Sequence, residues 1–295
     1  MASQSLDVLV VLREVVDPKP PAETTAEGAL VRDRGLRRIV NPADLEALEV
    51  ALGLEARAVT VVAVGPERVE DGLRVALSMG ASRAVRVWDH GLEDGDAAAR
   101  ARLLERVISI LRPALVFAGS RLLDAGDDPA PALALASLGL PAVNAAVSCR
   151  VDGAAAEVLR KADRGARQRV AMPLPCGVLF EEGAAVPRHP DVDALLGAAE
   201  APVESWGLPE LNLPSCEVGE WGSRLDADGV SFPCPQPIRV PTPAAELPAP
   251  ERVAALLSGG IKARSGVMHF GTAEEVADRL FGILSREGLV PGGDA

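Results

Sequence analysis

A chain of 295 residues, nearly half of them apolar and only 3% aromatic, is long enough to bury a sizeable core as one large domain or a domain with arms. Its 42 acids against 30 bases leave a formal charge of −12, and no basic run long enough to follow a phosphate backbone exists, which argues against nucleic acid as a partner. No apolar stretch approaches the roughly 18 residues that span a bilayer, and the acids in "MASQSLDVLVVLREVVD" oppose a secretory leader, so we expect no membrane insertion and a cytoplasmic location.

In chain order, "DVLVVL" reads as a buried strand, followed by a short basic run (Arg32, Arg34, Arg37, Arg38) expected in a solvated loop. "NPADLEALEVALGLE" is a helix with Pro42 in its first turn and Leu45, Leu48 and Leu52 on one face. "AVTVVAVG" is a strand ending at Gly65, and "ERVEDGLRVALSMG" a helix gathering Val69, Leu73, Ala76 and Leu77 before Gly80 stops it. "RAVRVW" is a strand, "ARLLERVISILR" a helix with Leu103, Leu104, Val107, Ile108 and Leu111 on one stripe, and "ALVFAG" a strand. This β-α-β-α order predicts an α/β fold, a doubly wound, mostly parallel sheet.

Beyond Pro141, "AAVSCRV", "AAAEVLRKA", "RQRVAMPLP" and "CGVLF" predict antiparallel strands at the edge of the sheet. Residues 205–262, dense in proline, read as an extended arm rather than a core layer, and "GTAEEVADRLFGILSREG" as a closing helix. Thr272 and Glu275 have capping-box spacing there, Val276, Leu280, Ile283 and Leu284 form the apolar face, and Gly288 is the stop. We therefore expect an α/β domain over 1–204 and, over 205–295, an arm and helix that dock on a partner subunit; a decorative tail is the alternative.

Several phrases together carry a family resemblance: "VNPADLEALEVALGLE", "GLRVALSMGASRAVRV", "LVFAGSRLLD", "GLPAVN", "PLPCGVLF" and "VPRHPDVDALLGA". In these the chain resembles the β subunit of the electron-transferring flavoproteins, from residue 7 to about 204 and again over "ARSGVMHFGTAEEVADRLFGILSREGLV". The family's signature is nearly met by Arg160, Asp163, Gly165, Gln168, Val170 and Pro175, with Arg164 and Gly177 off pattern. The resemblance implies a heterodimer with an α subunit, FAD held mostly by α, and electrons taken from a dehydrogenase and passed on. It further implies a second nucleotide in β, AMP or a second FAD, meeting Val11, Asn41, Pro42, Ala43, Asp44, Val64 and the loop from Gly119 through Ser120, Arg121, Asp124, Asp127 and Asp128. A non-redox structural subunit of a larger dehydrogenase complex is the alternative.

Within that loop the chain departs from the family. Pro129 and Pro131 supply no N–H, and Asp128 can cap the following helix, taking amides that a phosphate would use. A phosphate within ~4 Å of a carboxylate meets roughly 4 kcal/mol of repulsion per charge pair at surface-like dielectric. With Ala43 for an aromatic residue and Val11 for a smaller one, the site is expected to be narrowed and AMP to be absent. In the family's partner-recognition stretch Val192, Leu195 and Leu196 remain, flanked by Asp191, Asp193 and Glu200 in place of lysines, which predicts a dedicated dehydrogenase of different charge pattern. The same three apolar residues could equally be the core face of a helix.

No self-contained catalytic motif stands out. His90, His189 and His269 read as surface residues, and Trp88, Trp206 and Trp221 as packing. The scattered cysteines give no metal spacing, although a bridge between Cys216 and Cys234 stays open, and capping is favoured over magnesium binding for Asp124, Asp127 and Asp128.

Overall fold

The computed structural model describes residues 6–19, 36–54, 56–93, 95–225, 243, 245–257, 268–287 and 289. Expectations for Arg32, Arg34, Cys234, Gly288 and most of the proline-rich stretch lie outside the described residues.

The first half of the chain alternates strands and helices: β1 (Asp7–Leu12), β2 (Glu14–Val16), β3 (Arg38–Val40), α1 (Pro42–Leu52), β4 (Ala58–Val64), α2 (Glu70–Met79), β5 (Arg83–Val87) and α3 (Ala97–Leu111). Then come β6 (Leu115–Gly119), the two-residue strands β7 (Arg121–Leu122) and β8 (Gly126–Asp127), α4 (Ala130–Ser137), β9 (Ala142–Asp152), β10 (Ala155–Lys161), β11 (Arg167–Pro173) and β12 (Cys176–Phe180). The remaining elements are α5 (Val192–Glu200), β13 (Glu204–Trp206), the short helices α6 (Leu208–Leu211) and α7 (Gly219–Gly222), and α8 (Ala249–Leu257) and α9 (Ala273–Arg286).

Nine strands form one sheet in the order β11-β10-β9-β12-β6-β1-β4-β5-β13, parallel from β9 to β13 and antiparallel where β10 and β11 are added. The central parallel strands β1, β6 and β12 are apolar and almost wholly buried, because helices cover both of their faces. On one side α1 and α2 close a cluster containing Val10, Leu48, Leu73, Phe117 and Val178; on the other α3 and α4 close one containing Leu9, Val62, Leu103, Leu135 and Leu179. Phe117 meets Phe180 edge-on, with ring centroids 4.9 Å apart. Gly177 lets α4 sit down on β12, since a Cβ there would lie 2.2 Å from Leu135 Cδ1.

Two expectations are corrected. "CGVLF" is not an antiparallel edge strand: β12 runs parallel, inserted between β6 and β9, and all five of its residues are buried, as two-sided coverage demands. The stretch after residue 204 does contribute to the core, for β13 pairs with β5, and Leu211, Leu213 and Val218 are buried against the α3 side. The chain divides into two compact units, the first ending at Phe232. In the second unit α9 opens with the Thr272–Glu275 capping box, the Thr272 hydroxyl accepting from the Glu275 amide at 3.3 Å, and leaves Leu280 and Phe281 half exposed.

Candidate functional site

Strand order reverses at β1: the chain steps outward through β4 and β5, then returns to place β6 on the other side of β1. The carboxyl ends of β1 and β6 therefore open a crevice between them, where an α/β sheet exposes backbone and helix N-termini to a ligand. Leu12 ends β1, and Arg13 follows at once into that crevice. Asp44, in the first turn of α1, and Asp128, just before α4, reach it from two other elements.

These three side chains form one ion cluster. The Arg13 guanidinium donates from Nη2 to Asp44 Oδ1 at 2.5 Å, from Nε to Asp44 Oδ2 at 3.0 Å, from Nη1 to Asp128 Oδ2 at 3.0 Å, and from Nη2 to the Gly119 carbonyl at 2.7 Å. Asp44 also accepts from the Arg13 amide at 2.9 Å and the Gly119 amide at 2.6 Å; its side chain is wholly buried. Asp128 turns its other oxygen to the Ala130 amide at 3.1 Å, and Pro131 beside it has no N–H to offer. Burial works against the Arg13 charge, and the two carboxylates more than offset it, holding the guanidinium above its ordinary pKa. Two carboxylates against one guanidinium leave net negative charge at the N-terminal ends of α1 and α4, where helix dipoles favour it.

Gly119 is required by this closeness. A Cβ there would lie 2.6 Å from Ala43 Cβ and 2.9 Å from Asp44 Oδ1, so the first turn of α1 could not approach β6. Asn41 is buried as the N-cap of α1, but its side chain serves the loop after β6: Nδ2 donates to the Arg121 carbonyl at 2.9 Å and Oδ1 accepts from the Leu123 amide at 3.1 Å.

Of the other residues expected at the site, Val11 and Val64 line one cavity with Arg13 and Asp128, while the loop residues take separate partners. Val11 is buried in β1, Val64 lines the crevice, and Pro42 starts α1 beside it. Ser120 donates its amide to the Phe180 carbonyl at 2.7 Å. Asp124 accepts from the Val16 amide at 2.8 Å, while Asp127 is exposed and pairs with Arg121 at 3.3 Å. The three loop carboxylates thus have three different protein partners, and no group of His, Cys, Asp or Glu among the described residues is arranged to hold a metal ion.

Sequence reading missed Arg13. The available signal was a cation directly behind a wholly apolar strand, at the end where a parallel sheet opens. A cavity of about 230 Å³ remains beside it, lined by Val11, Val64, Trp88, Leu104 and Asp128, and a hollow of about 410 Å³ shares Val64, Trp88 and Arg100 with it.

The stretch that leads to α5 is held by the outer face of α1. Glu46 accepts from the amides of Gly183 at 2.7 Å and Ala184 at 2.8 Å, and Glu49 pairs with Arg188 at 2.8 Å. Arg74 of α2 donates to the carbonyls of Ala198, Ala199 and Ala201 at the end of α5. With Ala198 facing inward, Val192, Leu195 and Leu196 are 70%, 45% and 65% exposed, so they are not the core face of that helix. Val186, in the stretch before α5, is 89% exposed. Trp221, at 84% exposure, is not a packing residue, whereas Trp206 lies under Arg83 at 5.6 Å.

A doubly wound sheet with its crevice at the switch point places the chain among the Rossmann-like α/β proteins, whose ligands meet the carboxyl ends of the strands. The chain matches the family model described as "Electron transfer flavoprotein domain" over residues 29–211. It is 30% identical to the electron transfer flavoprotein subunit beta of Clostridium acetobutylicum, an alignment covering 74% of this chain and 85% of the relative. With that of Methylophilus methylotrophus the identity is 29%, over 72% and 84%. With that of Syntrophomonas wolfei it is 30%, over 68% and 79%. The chain belongs to the electron transfer flavoprotein β-subunit family, whose members carry electrons, are associated with flavin and pair with an α subunit. No helix among the described residues is long and apolar enough to cross a membrane.

Proposed function

We propose that this chain is the β half of an FAD-containing heterodimer that takes electrons from a dedicated dehydrogenase and passes them on, and that it does so without AMP. FAD supplies the redox chemistry when bound. The residues of this chain that line the crevice do not fit a second nucleotide's phosphate: the guanidinium that would meet it is committed to Asp44 and Asp128, and the Ala130 amide is capped by Asp128. The Arg13–Asp44–Asp128 cluster carries this reading. An internal carboxylate takes the anion's place at the N-terminus of α4, where it costs no ligand and repels an added phosphate.

The chain co-purified with its α subunit should yield FAD at one per heterodimer and AMP far below that ratio on acid extraction; AMP at one per heterodimer would overturn the second half. A colourless complex would favour the structural-scaffold alternative. One observation supports a retained nucleotide: the Arg100 side chain, with no ion pair among the described residues, lines both hollows and could take a phosphate turned away from Asp128.

The exposed Val192, Leu195 and Leu196, on a helix flanked by Asp191, Asp193 and Glu200, are the contacts we assign to the dehydrogenase. Replacing Leu195 and Leu196 with alanine should slow reduction of the flavin by that dehydrogenase while the heterodimer stays intact.

A further inference from the structure

The helix that carries the exposed leucines lies outside both cores. Ala198 is the one residue of α5 that is buried, Ala194 one turn earlier is partly buried, and neither belongs to the apolar cluster on either side of the sheet. Four residues apart, these two alanines share the face of α5 that packs on α2, while Val192, Leu195 and Leu196 stand on the outward face. The chain touches the α1/α2 core at Ala184 and again at Val203; between those points the inward face of α5 offers two methyl groups.

Polar contacts supply what those methyls do not. Nη1 of Arg74, in α2, donates to the carbonyls of Ala198 at 3.1 Å, Ala199 at 2.8 Å and Ala201 at 3.0 Å, acceptors of the kind that a helix end leaves without amides. Nη2 of the same side chain pairs with Glu70 one turn back at 3.6 Å. Ahead of the helix, one oxygen of Glu46 accepts from the amides of Gly183 at 2.7 Å, Ala184 at 2.8 Å and Ala185 at 3.4 Å, and Glu49 holds Arg188. Those two glutamates fix the approach to α5. Among the described residues, Arg74 is the side chain from elsewhere in the fold that bonds α5 itself, since Asp191, which accepts from the Ala194 amide at 2.7 Å, is its own N-cap.

We propose that Arg74 is the positioning residue of the dehydrogenase contact: by gathering the last carbonyls of α5 onto α2 it fixes the direction in which Val192, Leu195 and Leu196 face the electron donor. The inference rests on the assignment of those three residues to the dehydrogenase made above. A helix held by two methyl groups and one guanidinium opens locally once the guanidinium is gone, and the core beneath it does not loosen. The dehydrogenase must then order α5 as it binds, a cost that falls on affinity and not on electron transfer after docking.

The test uses the heterodimer of the full chain with its α subunit. Wild type is compared with Arg74→Met, which keeps the apolar stem and removes the donors, with Arg74→Lys, which restores a charged donor, and with Leu195→Ala/Leu196→Ala. Purified dehydrogenases supplied with their own substrates are tried in turn on wild type, and the one that reduces its flavin is the probe. Arg74→Met should raise the KM for the heterodimer about fivefold with kcat within about twofold, and speed amide exchange over residues 192–200 about tenfold. Its thermal midpoint should match wild type, and Arg74→Lys should recover part of the KM. An unchanged KM in Arg74→Met beside a raised KM in the leucine pair would overturn this inference and leave the assignment of the leucines standing. An unchanged KM in both would overturn the two together, as would a wild-type flavin that no dehydrogenase reduces. A raised KM with unaltered exchange over 192–200, or with a lowered thermal midpoint, would overturn the positioning role, because Arg74 would then act other than by holding α5.

Discussion

At the mouth of the sheet and on α5 the same protein treats unsatisfied groups in opposite ways. Between β1 and β6, where a parallel sheet is most open to ligands, each carboxylate of the loop and of α1 has found a donor within the chain, and Asp44 is fully buried. On α5, some of the largest apolar side chains stand in solvent on a segment that three charged residues hold in place. Polar closure at one site and apolar exposure at the other separate a structural cluster from the surface proposed to meet the dehydrogenase. The first should matter for stability, and the second for association.

The sharpest way to break that contrast is Asp44→Asn. It leaves Arg13 and the Gly119 amide short of acceptors in a buried site, and should cost about 3–5 kcal/mol in urea unfolding. A loss under 1 kcal/mol would mean that the cluster is no structural keystone. Gly119→Ala should cost about 1–3 kcal/mol, because its Cβ would press on Ala43 and Asp44 and push α1 off β6. A smaller effect is expected in acid. The Arg188 side-chain hydrogen bond holds Glu49 below its ordinary carboxylate value of 4.5. The unfolded chain therefore takes up that proton first, so the contribution is complete above pH 4.5 and drains as pH falls through the lower, folded value. Glu49→Gln should flatten that part of the unfolding curve against pH, without moving stability at pH 7 by more than about 1 kcal/mol. Least of all, Leu195→Ala with Leu196→Ala should change unfolding by no more than about 0.5 kcal/mol per site while, if the proposed assignment holds, slowing reduction by the proposed dehydrogenase. A large loss of stability there would make the two leucines core residues after all.

The buried thiols sharpen the contrast from another side. Desolvation pushes Cys149 up to about 12 and Cys176 up to about 11, so neither supplies thiolate at pH 8. Iodoacetamide should modify exposed Cys216 in the native protein and spare both of them, read by peptide mass spectrometry.

Most of the α/β alternation was legible because local periodicity and capping dictate it: the Pro42 start of α1, the left-handed Gly80 that ends α2 at φ 119°, and the Thr272–Glu275 box of α9 each act within a few residues. Part of the site was legible as well. The Asp128–Pro129 pair pointed to capping, and Asp128 does take the Ala130 amide.

Sequence by itself determined which segments are strands and helices, and that the loop after β6 is acidic and poor in free amides, since these follow from neighbours along the chain. Only the tertiary structure decided that Arg13 closes the crevice, because its partners lie 31 and 115 residues away. It also decided that "CGVLF" enters the middle of the sheet and that Leu195 and Leu196 face outward. An apolar run looks the same whether its neighbours cover both of its faces, one or none, and only the folded chain settles where those neighbours are.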